Sequence, residues 1–282
     1  MPSLRRTTLA AVLACSTAVA VAAPAAAQDT LRYVALGDSF ASVGTLTDLD
    51  PNPVGCARAH DNYPSVAAER LGATEFVDVT CGGATTVHMT QSQQVPLGTN
   101  PPQLDALTAD TDLVSVSISG NDIGFGDIVL TCGALSLTDP FGAPCQAHYG
   151  DQLDQRIAAA APLIDAVLDG IHSRSPDATV LVVGYLRVLP PAGGCFPIVP
   201  IAAGDVPYVD GVQHQLNAML GERAAAHGAT FVDPGDVVGH DVCQAPWDKW
   251  VEGIIPTSIA APVHPNAAGQ AYVGGLVADA IT

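Results

Sequence analysis

The sequence holds four short segments whose residue types could together perform nucleophilic catalysis. They are Gly-Asp-Ser-Phe at 37–40, Cys-Gly-Gly-Ala-Thr at 81–85, Ser-Gly-Asn-Asp at 119–122 and Val-His-Pro-Asn at 263–266. A serine hydroxyl needs a base to remove its proton, and histidine is the usual base near neutral pH. The oxyanion formed by the attack needs N–H donors, which a glycine backbone and an asparagine amide supply. The set fits acyl transfer, with Ser39 as nucleophile and His264 as base.

Each segment also has a plainer explanation when it is taken alone. Gly-Asp-Ser is common in turns, two consecutive glycines are typical of a tight turn, and Asn121-Asp122 could begin a helix. His264 is one of eight histidines, most of which we interpret as surface or satisfied polar residues. The chain order and spacing of all four segments favour one common site.

Short β-rich runs alternate with helical stretches along the chain. We predict strands at 31–36, 75–79, 113–117, 179–186 and 230–233. We predict helices at 57–71, 151–173, 209–227 and 266–280, with a kink or break at Pro162. This alternation predicts an α/β fold, a five-stranded parallel sheet covered by helices on both faces. Ligands bind such sheets at the carboxyl ends of the strands, where three of the four segments lie.

Four long segments, 44–56, 91–102, 131–149 and 189–207, are rich in glycine and proline and are predicted as loops. Long loops in a compact domain are unusual unless they are functional or held covalently. Most of these carry or flank a cysteine, so disulfides could hold them. The segments 40–49, 123–137 and 188–206, also predicted as loops, are rich in apolar side chains, which would suit either an acyl groove or a cover for the core.

Composition limits the classes of partner. The 282 residues include 10 basic and 28 acidic side chains, for a net charge of −18. This charge argues against nucleic acid and against electrostatic docking on anionic lipid. With 48% hydrophobic and 13% charged residues, the chain is too apolar to be disordered.

The N-terminus has the pattern of an export signal. A positive pair, Arg5-Arg6, precedes an apolar run from Thr7 to Val21, and Ala25-Ala26-Ala27 matches a signal peptidase site. We therefore predict a signal peptide at 1–27 and a secreted mature domain at 28–282. An uncleaved anchor or lipid attachment at Cys15 is a weaker alternative, and no later segment is apolar enough to insert stably into a membrane.

Together the four segments resemble the sequence blocks of the SGNH hydrolases, also called the GDSL esterase/lipase family. The resemblance extends from residue 33 to residue 272 and implies a flavodoxin-like three-layer α/β/α sandwich. It implies Ser39 as nucleophile and His264 as base. It also implies an oxyanion hole formed by the Ser39 N–H, the Gly83 N–H and the Asn121 amide.

Two positions depart from the family pattern. Ser119 replaces the first glycine of the third block, which is compatible with the pattern if the backbone there keeps ordinary φ and ψ angles. Ala261 stands where the last block usually has an aspartate, three residues before His264. By analogy with secreted members that use a Ser–His dyad, we expect the carbonyl of Ala261, or of a neighbour such as Pro262, to orient the imidazole. A carboxylate from elsewhere in the chain remains an alternative.

Six cysteines remain after export, which permits three disulfides in fifteen possible pairings. The resemblance implies sequential pairing, namely Cys56–Cys81, Cys132–Cys145 and Cys195–Cys243. The first bridge would then lie two residues from Gly83.

The resulting expectation is a secreted, monomeric serine hydrolase that cleaves carboxylic esters of lipids without metal or cofactor. A phospholipase or a carbohydrate acetylesterase is the alternative on the same fold. A non-enzymatic binding protein with an inert Ser39 or His264 is the rival from another class. A metal-dependent hydrolase ranks lower, because the chain has no EF-hand-like loop and no His-x-x-x-His pair.

Overall fold

A five-stranded parallel sheet with strand order β2-β1-β5-β6-β7 forms the centre of the structure, a computed structural model that describes residues 30–282. Its strands are β1 (Arg32–Gly37), β2 (Glu75–Asp78), β5 (Leu113–Ser117), β6 (Thr179–Val183) and β7 (Thr230–Val232). Between β2 and β5 the chain forms a small antiparallel hairpin of β3 (Gln93–Val95) and β4 (Gly98–Asn100). The predicted signal peptide, with Cys15 and its cleavage site, lies outside the described residues.

Seven α-helices accompany the strands within residues 30–282. They are α1 (Ser39–Ser42), α2 (Tyr63–Leu71), α3 (Phe125–Ser136), α4 (Pro144–Tyr149), α5 (Gln152–Arg174), α6 (Val206–Ala226) and α7 (Ala267–Asp279). Helix α2 packs against α7, and α5 packs against α6, which gives two helical layers. The central strand β5 is buried along its whole length, as expected for a sheet covered on both faces. The predicted α/β/α sandwich is confirmed.

Two predicted helices differ from the observed ones. The helix expected at 57–71 begins only at Tyr63, because the Asn62 side chain accepts the Ser65 N–H at 3.0 Å and caps it there. The break expected at Pro162 is absent, and α5 runs continuously from Gln152 to Arg174. Pro162 lies on the exposed side of α5, as does Ala158 four residues earlier, so water can satisfy the carbonyl that loses its partner.

Strand β6 ends at Val183 rather than at the predicted Leu186. The Gly184 N–H still donates to the Val232 carbonyl of β7 at 2.9 Å, but Tyr185 bonds to side chains of α6 instead of a neighbouring strand. Asn217 accepts the Tyr185 N–H at 2.9 Å and donates to the Tyr185 carbonyl at 2.9 Å, and Gln213 also donates to that carbonyl at 3.0 Å. The chain thus leaves the sheet early, and Tyr185 becomes available to the site described below.

The segments predicted as loops contain further regular structure. Helix α3 lies within 123–137, helix α4 lies within 131–149, and the β3–β4 hairpin lies within 91–102. Helix α3 was not predicted because it is apolar on almost every side and contains Gly126 and Gly133, so no helical periodicity is visible.

Three disulfides join the loops in sequential order. They are Cys56–Cys81, Cys132–Cys145 and Cys195–Cys243, the pairing that the resemblance implies. The first connects the segment after α1 with the residues that follow β2, and the second connects α3 with α4. None of the helices found in residues 30–282 has the length and apolar character needed to cross a membrane.

Candidate active site

Ser39 follows the carboxyl end of strand β1, where the chain turns sharply into α1. Asp38 caps this short helix by accepting the Phe40 N–H at 2.9 Å. Only glycine fits at position 37, because a Cβ there would lie 2.7 Å from both the Ala41 Cβ and the Ser117 carbonyl oxygen. The buried side chain of Gln103 accepts the Gly37 N–H at 2.7 Å and donates to its carbonyl at 2.9 Å. These contacts fix the turn that presents Ser39.

His264 reaches the same point from the loop before α7. Its Nε2 lies 2.8 Å from Ser39 Oγ, which is the distance required for proton transfer. Its Nδ1 lies 2.7 Å from the carbonyl oxygen of Pro262. The expectation that Ala261 supplies this carbonyl is therefore wrong, and the neighbour Pro262 supplies it.

The turn between Ala261 and His264 explains the difference. The Ala261 carbonyl is occupied within this turn, because it accepts the His264 backbone N–H at 3.3 Å. Proline in the second position and Val263 at φ +59° in the third give the pattern of a type II turn. The Pro262 carbonyl takes no part in the turn's own hydrogen bond and can accept from the imidazole. Val263 adopts a left-handed conformation that is rare for a β-branched residue, so the turn is strained.

The electrostatic environment of His264 contains no charged partner. Within residues 30–282, no carboxylate forms an ion pair with its imidazole. Burial lowers the pKa of His264 below its ordinary 6.5, and the hydrogen bond to Pro262 opposes this effect. The imidazole is therefore neutral at pH 7, which is the state that a general base requires.

Glu252, which sequence reasoning did not single out, holds the loop that carries His264. Its backbone N–H donates to the His264 carbonyl at 3.0 Å. Its fully buried carboxylate accepts from the Thr257 N–H, the Ser258 hydroxyl and the Asn266 amide. These donors lower the pKa of Glu252 against the opposing effect of burial, so it stays ionised. Only the folded loop brings these donors together, so no local sequence pattern could have indicated the role.

The residues proposed for the oxyanion hole lie in neighbouring turns. The Asn121 amide donates to the Ala84 carbonyl at 2.8 Å, which holds it beside Gly83. Gly83 is exposed to solvent and has a backbone φ of +75°. Asp122 accepts from the Thr86 hydroxyl at 2.6 Å and connects the same two turns. In residues 30–282, the backbone N–H groups of Ser39 and Gly83 make no hydrogen bond, so both can donate to a ligand.

Tyr185 connects the nucleophile turn with the asparagine turn from behind. Its buried hydroxyl donates to Asp38 Oδ2 at 2.6 Å and accepts the Gly120 N–H at 2.7 Å. Burial raises the pKa of Asp38 to about 7, although the hydrogen bonds from Tyr185 and Phe40 oppose this effect. Sequence reasoning missed Tyr185 because it was assigned to the strand. Its only sequence signal is a polar aromatic side chain directly after an apolar run.

Ser119 does not keep ordinary backbone angles. Its φ is +114°, which belongs to the region that glycine adopts without strain. The residue is fully buried, and its hydroxyl has no hydrogen-bond partner in the described part of the chain. Ser119 therefore holds a conformation that a glycine, the family's usual residue here, would adopt with less strain.

A cavity of about 290 Å³ opens beside Ser39 and His264. Asn121 and Gly120 line one end, and the rest of the wall is mainly apolar, with the side chains of Phe125, Val129, Leu130, Val188, Leu216 and Ile254. Helix α3, the segment predicted as a loop, supplies three of these side chains. In the described residues, no group of three histidines, cysteines or acids is arranged to bind a metal ion.

The GDSL-like lipase/acylhydrolase family matches residues 35–272. Lipase 2 of Streptomyces coelicolor is 40% identical over 282 residues, which cover 95% of this chain and 94% of that protein. The chain belongs to the GDSL-like lipase/acylhydrolase family. It is accordingly a carboxylic ester hydrolase.

Two solved structures share both the fold and a substantial part of the sequence. A phospholipase A1 from Streptomyces albidoflavus superposes with a TM-score of 0.73 at 29% identity, over 90% of this chain and all of that chain. An extracellular lipase from Streptomyces rimosus superposes with a TM-score of 0.71 at 30% identity, over the same shares.

Proposed function

We propose that this GDSL-family hydrolase is a secreted lipase/esterase that works through a Ser39–His264 dyad and an acyl-enzyme. The observation that carries the proposal is the 2.8 Å contact between Ser39 Oγ and His264 Nε2 at the end of an apolar pocket. A neutral imidazole held by the Pro262 carbonyl can take the serine proton as the hydroxyl attacks the ester carbon. The carbonyl stabilises the resulting imidazolium less than a carboxylate would.

The remaining steps follow from the same groups. The carbonyl oxygen of the ester becomes an oxyanion, which the N–H groups of Ser39 and Gly83 and the amide of Asn121 stabilise. His264 then protonates the alkoxide leaving group as the C–O bond breaks. Water, deprotonated by His264, attacks the acyl-serine in the second half of the reaction and releases the carboxylic acid.

The pocket favours esters with an apolar acyl chain over acetylated sugars. Its wall beyond Asn121 offers aliphatic and aromatic side chains, whereas a sugar would need hydrogen-bonding groups. Neutral lipid esters and phospholipids share the acyl chain, and the names of the two similar solved proteins, a lipase and a phospholipase A1, cover both. We propose lipid acyl esters as the substrate class.

Export is part of the proposal. The signal-like residues 1–27 and the three disulfides both fit an oxidising extracellular compartment. N-terminal sequencing of protein recovered from the culture medium should begin at Gln28. Recovery of the chain only from the cytoplasm, with its first residues intact, would contradict export.

The catalytic assignment is tested with esters of increasing acyl length and with a fluorophosphonate probe. Ser39→Ala and His264→Ala should each lower kcat by about 10⁴-fold or more, and Ser39→Ala should abolish labelling. Asn121→Ala should lower kcat by about 10²–10³-fold. Labelling that persists in Ser39→Ala would refute the nucleophile. An Asp→Asn variant near the site that costs as much as His264→Ala would refute the dyad.

A further inference from the structure

The solvent side of helix α3 is unusually apolar for an exposed helix. Its outward residues are Gly126, Asp127, Leu130 and Ala134, and Leu137 follows at the end of the helix. Leu130 is 72% exposed and Leu137 is 71% exposed. They are seven residues apart and therefore share one face of the helix. Asp127 is the only charged residue on this face.

This apolar face continues into the mouth of the pocket beside Ser39. Leu130 lines the pocket and also faces solvent. Ile254 lines the same pocket while it is 39% exposed, and the adjacent Ile255 is 82% exposed. We call Leu130, Leu137, Ile254 and Ile255 the mouth patch. Its side chains are exposed to water to different degrees, and covering them with an apolar surface would be favourable.

We propose that the mouth patch docks on the surface of an uncharged or zwitterionic lipid aggregate and so delivers acyl chains into the pocket. The proposal rests on the function proposed above and specifies how its substrate is presented. The patch is continuous with the cavity that has to receive the chain, so docking would bring lipid to Ser39. The net charge of −18 disfavours an anionic surface.

A second copy of the chain is a less suitable occupant of this patch. Leu130 and Ile254 form part of the pocket wall, so a stable contact over them would close the mouth against substrate. A fluid lipid surface does not have this disadvantage, because its molecules can enter the pocket individually.

Binding is measured by co-sedimentation with phosphatidylcholine vesicles, in a Ser39→Ala background that prevents hydrolysis. Leu137→Ser with Ile255→Ser removes two exposed patch residues that do not line the pocket. We expect this pair to weaken partitioning by at least tenfold. The matched control is Leu163→Ser, a 43% exposed leucine on α5, which should stay within twofold. Vesicles of phosphatidylglycerol should bind the parent protein less well than phosphatidylcholine.

Kinetics of the active enzyme separate docking from chemistry. The paired variant should hydrolyse dissolved p-nitrophenyl acetate as the parent does, which also shows that it folds, but should hydrolyse dispersed phosphatidylcholine at least tenfold more slowly. Equal vesicle binding by the pair and the parent, or no vesicle binding by the parent, would overturn docking while leaving the ester hydrolase intact. A dimer in light scattering that the pair abolishes would instead assign the patch to a second copy. Failure of the wild type on every ester would overturn the proposed function, independently of the vesicle result.

Discussion

At the scale of single residues, a neutral backbone carbonyl orients the catalytic histidine, where serine hydrolases often use an ionised carboxylate. The Pro262 carbonyl orients His264, and no carboxylate in residues 30–282 pairs with the imidazole. Because burial lowers the pKa of His264, protonation abolishes the base only below pH 6.5.

We therefore expect kcat/KM for a dissolved ester to rise with pH through a midpoint below 6.5. The neutral imidazole is the active form, so activity is lost as pH falls through the folded-state pKa. A pH profile together with the NMR titration of the His264 ring measures this midpoint. An inflection at or above 6.5 that the His264 resonance shares would contradict the interpretation.

Tyr185→Phe tests whether the buried hydroxyl positions the two catalytic turns. Loss of a hydrogen bond to a charged partner should lower the free energy of unfolding by about 2 kcal/mol. Because this hydrogen bond lowers the pKa of Asp38, its loss should raise that pKa above its value of about 7. The turns that present Ser39 and Asn121 also lose the contact that joins them, so kcat for a dissolved ester should fall, while the pH midpoint set by His264 stays below 6.5.

Tyr208→Phe is the matched control, because in the described residues the Tyr208 hydroxyl donates to the Gly150 carbonyl at the surface and contacts neither catalytic turn. This variant should keep the wild-type kcat. If Tyr185→Phe is destabilised while its kcat is unchanged, Tyr185 is only a structural residue.

Ser119→Gly should stabilise the protein. The substitution removes a side chain from a φ of +114° and deletes a buried hydroxyl without a partner in the described chain. These gains exceed the entropic cost of glycine, so we expect about 1 kcal/mol in denaturant unfolding. Ser117→Gly, in the regular strand β5, should instead destabilise by about 1 kcal/mol. A Ser119→Gly variant that loses stability would refute the strain argument.

The catalytic residues were easier to predict than the residues that support them. Ser39, Asn121 and His264 stand in short segments whose order is visible in the sequence, and the structure brings all three to one pocket. The role of Pro262 depends on which carbonyl of the turn is free to accept from His264. The role of Tyr185 depends on hydrogen bonds to loops that are distant in sequence. Neither of these conditions has a local sequence signal.

At the scale of elements, a helix or strand could be predicted where its pattern of buried and exposed residues is visible in the sequence. Strands β1, β2, β5 and β7 were expected within one residue of their observed ends, because apolar runs bounded by polar or glycine residues mark them. Helix α3 was missed because its exposed side, apart from Asp127, is about as apolar as its buried side. The apolar exposed side that prevented prediction of α3 also makes the helix suitable as the rim of a lipid pocket.

The Cys56–Cys81 disulfide should support both stability and catalysis. It closes a 25-residue separation, and the Gly82 N–H donates to the Cys56 carbonyl at 2.8 Å, next to Gly83. Replacing both cysteines with serine should lower the free energy of unfolding by about 3 kcal/mol and also lower kcat.

The Cys132–Cys145 pair provides the comparison, because it ties α3 to α4 away from the Gly83 turn. Its double serine variant should lose similar stability but keep kcat for p-nitrophenyl acetate within about threefold. Equal losses of kcat in both double variants would show that the first bridge has no special effect on the oxyanion turn.

At the scale of the whole molecule, acidic charge opposes folding as the pH rises. The net charge is −18 at pH 7, so like charges repel in the compact state. Burial of carboxyl groups also makes the folded state less stable as the pH rises. It raises the pKa of Asp38 to about 7 and raises the pKa values of Asp78, Asp122 and Asp210 above 3.8. Between 3.8 and these raised values, the folded state binds more protons than the unfolded state, so stability falls as pH increases.

We therefore expect a higher Tm at pH 5.5 than at pH 8. The lowered pKa of His264 acts in the opposite direction, but the raised pKa of Asp38, about 7, and the large negative net charge outweigh it between these two pH values. Added salt screens the repulsion between surface charges but not the burial of the aspartates, so 0.5 M NaCl should reduce the difference in Tm without removing it. Calorimetry at the two pH values, with and without salt, measures both contributions. A Tm that is higher at pH 8 would contradict the assignment of these buried carboxyl groups.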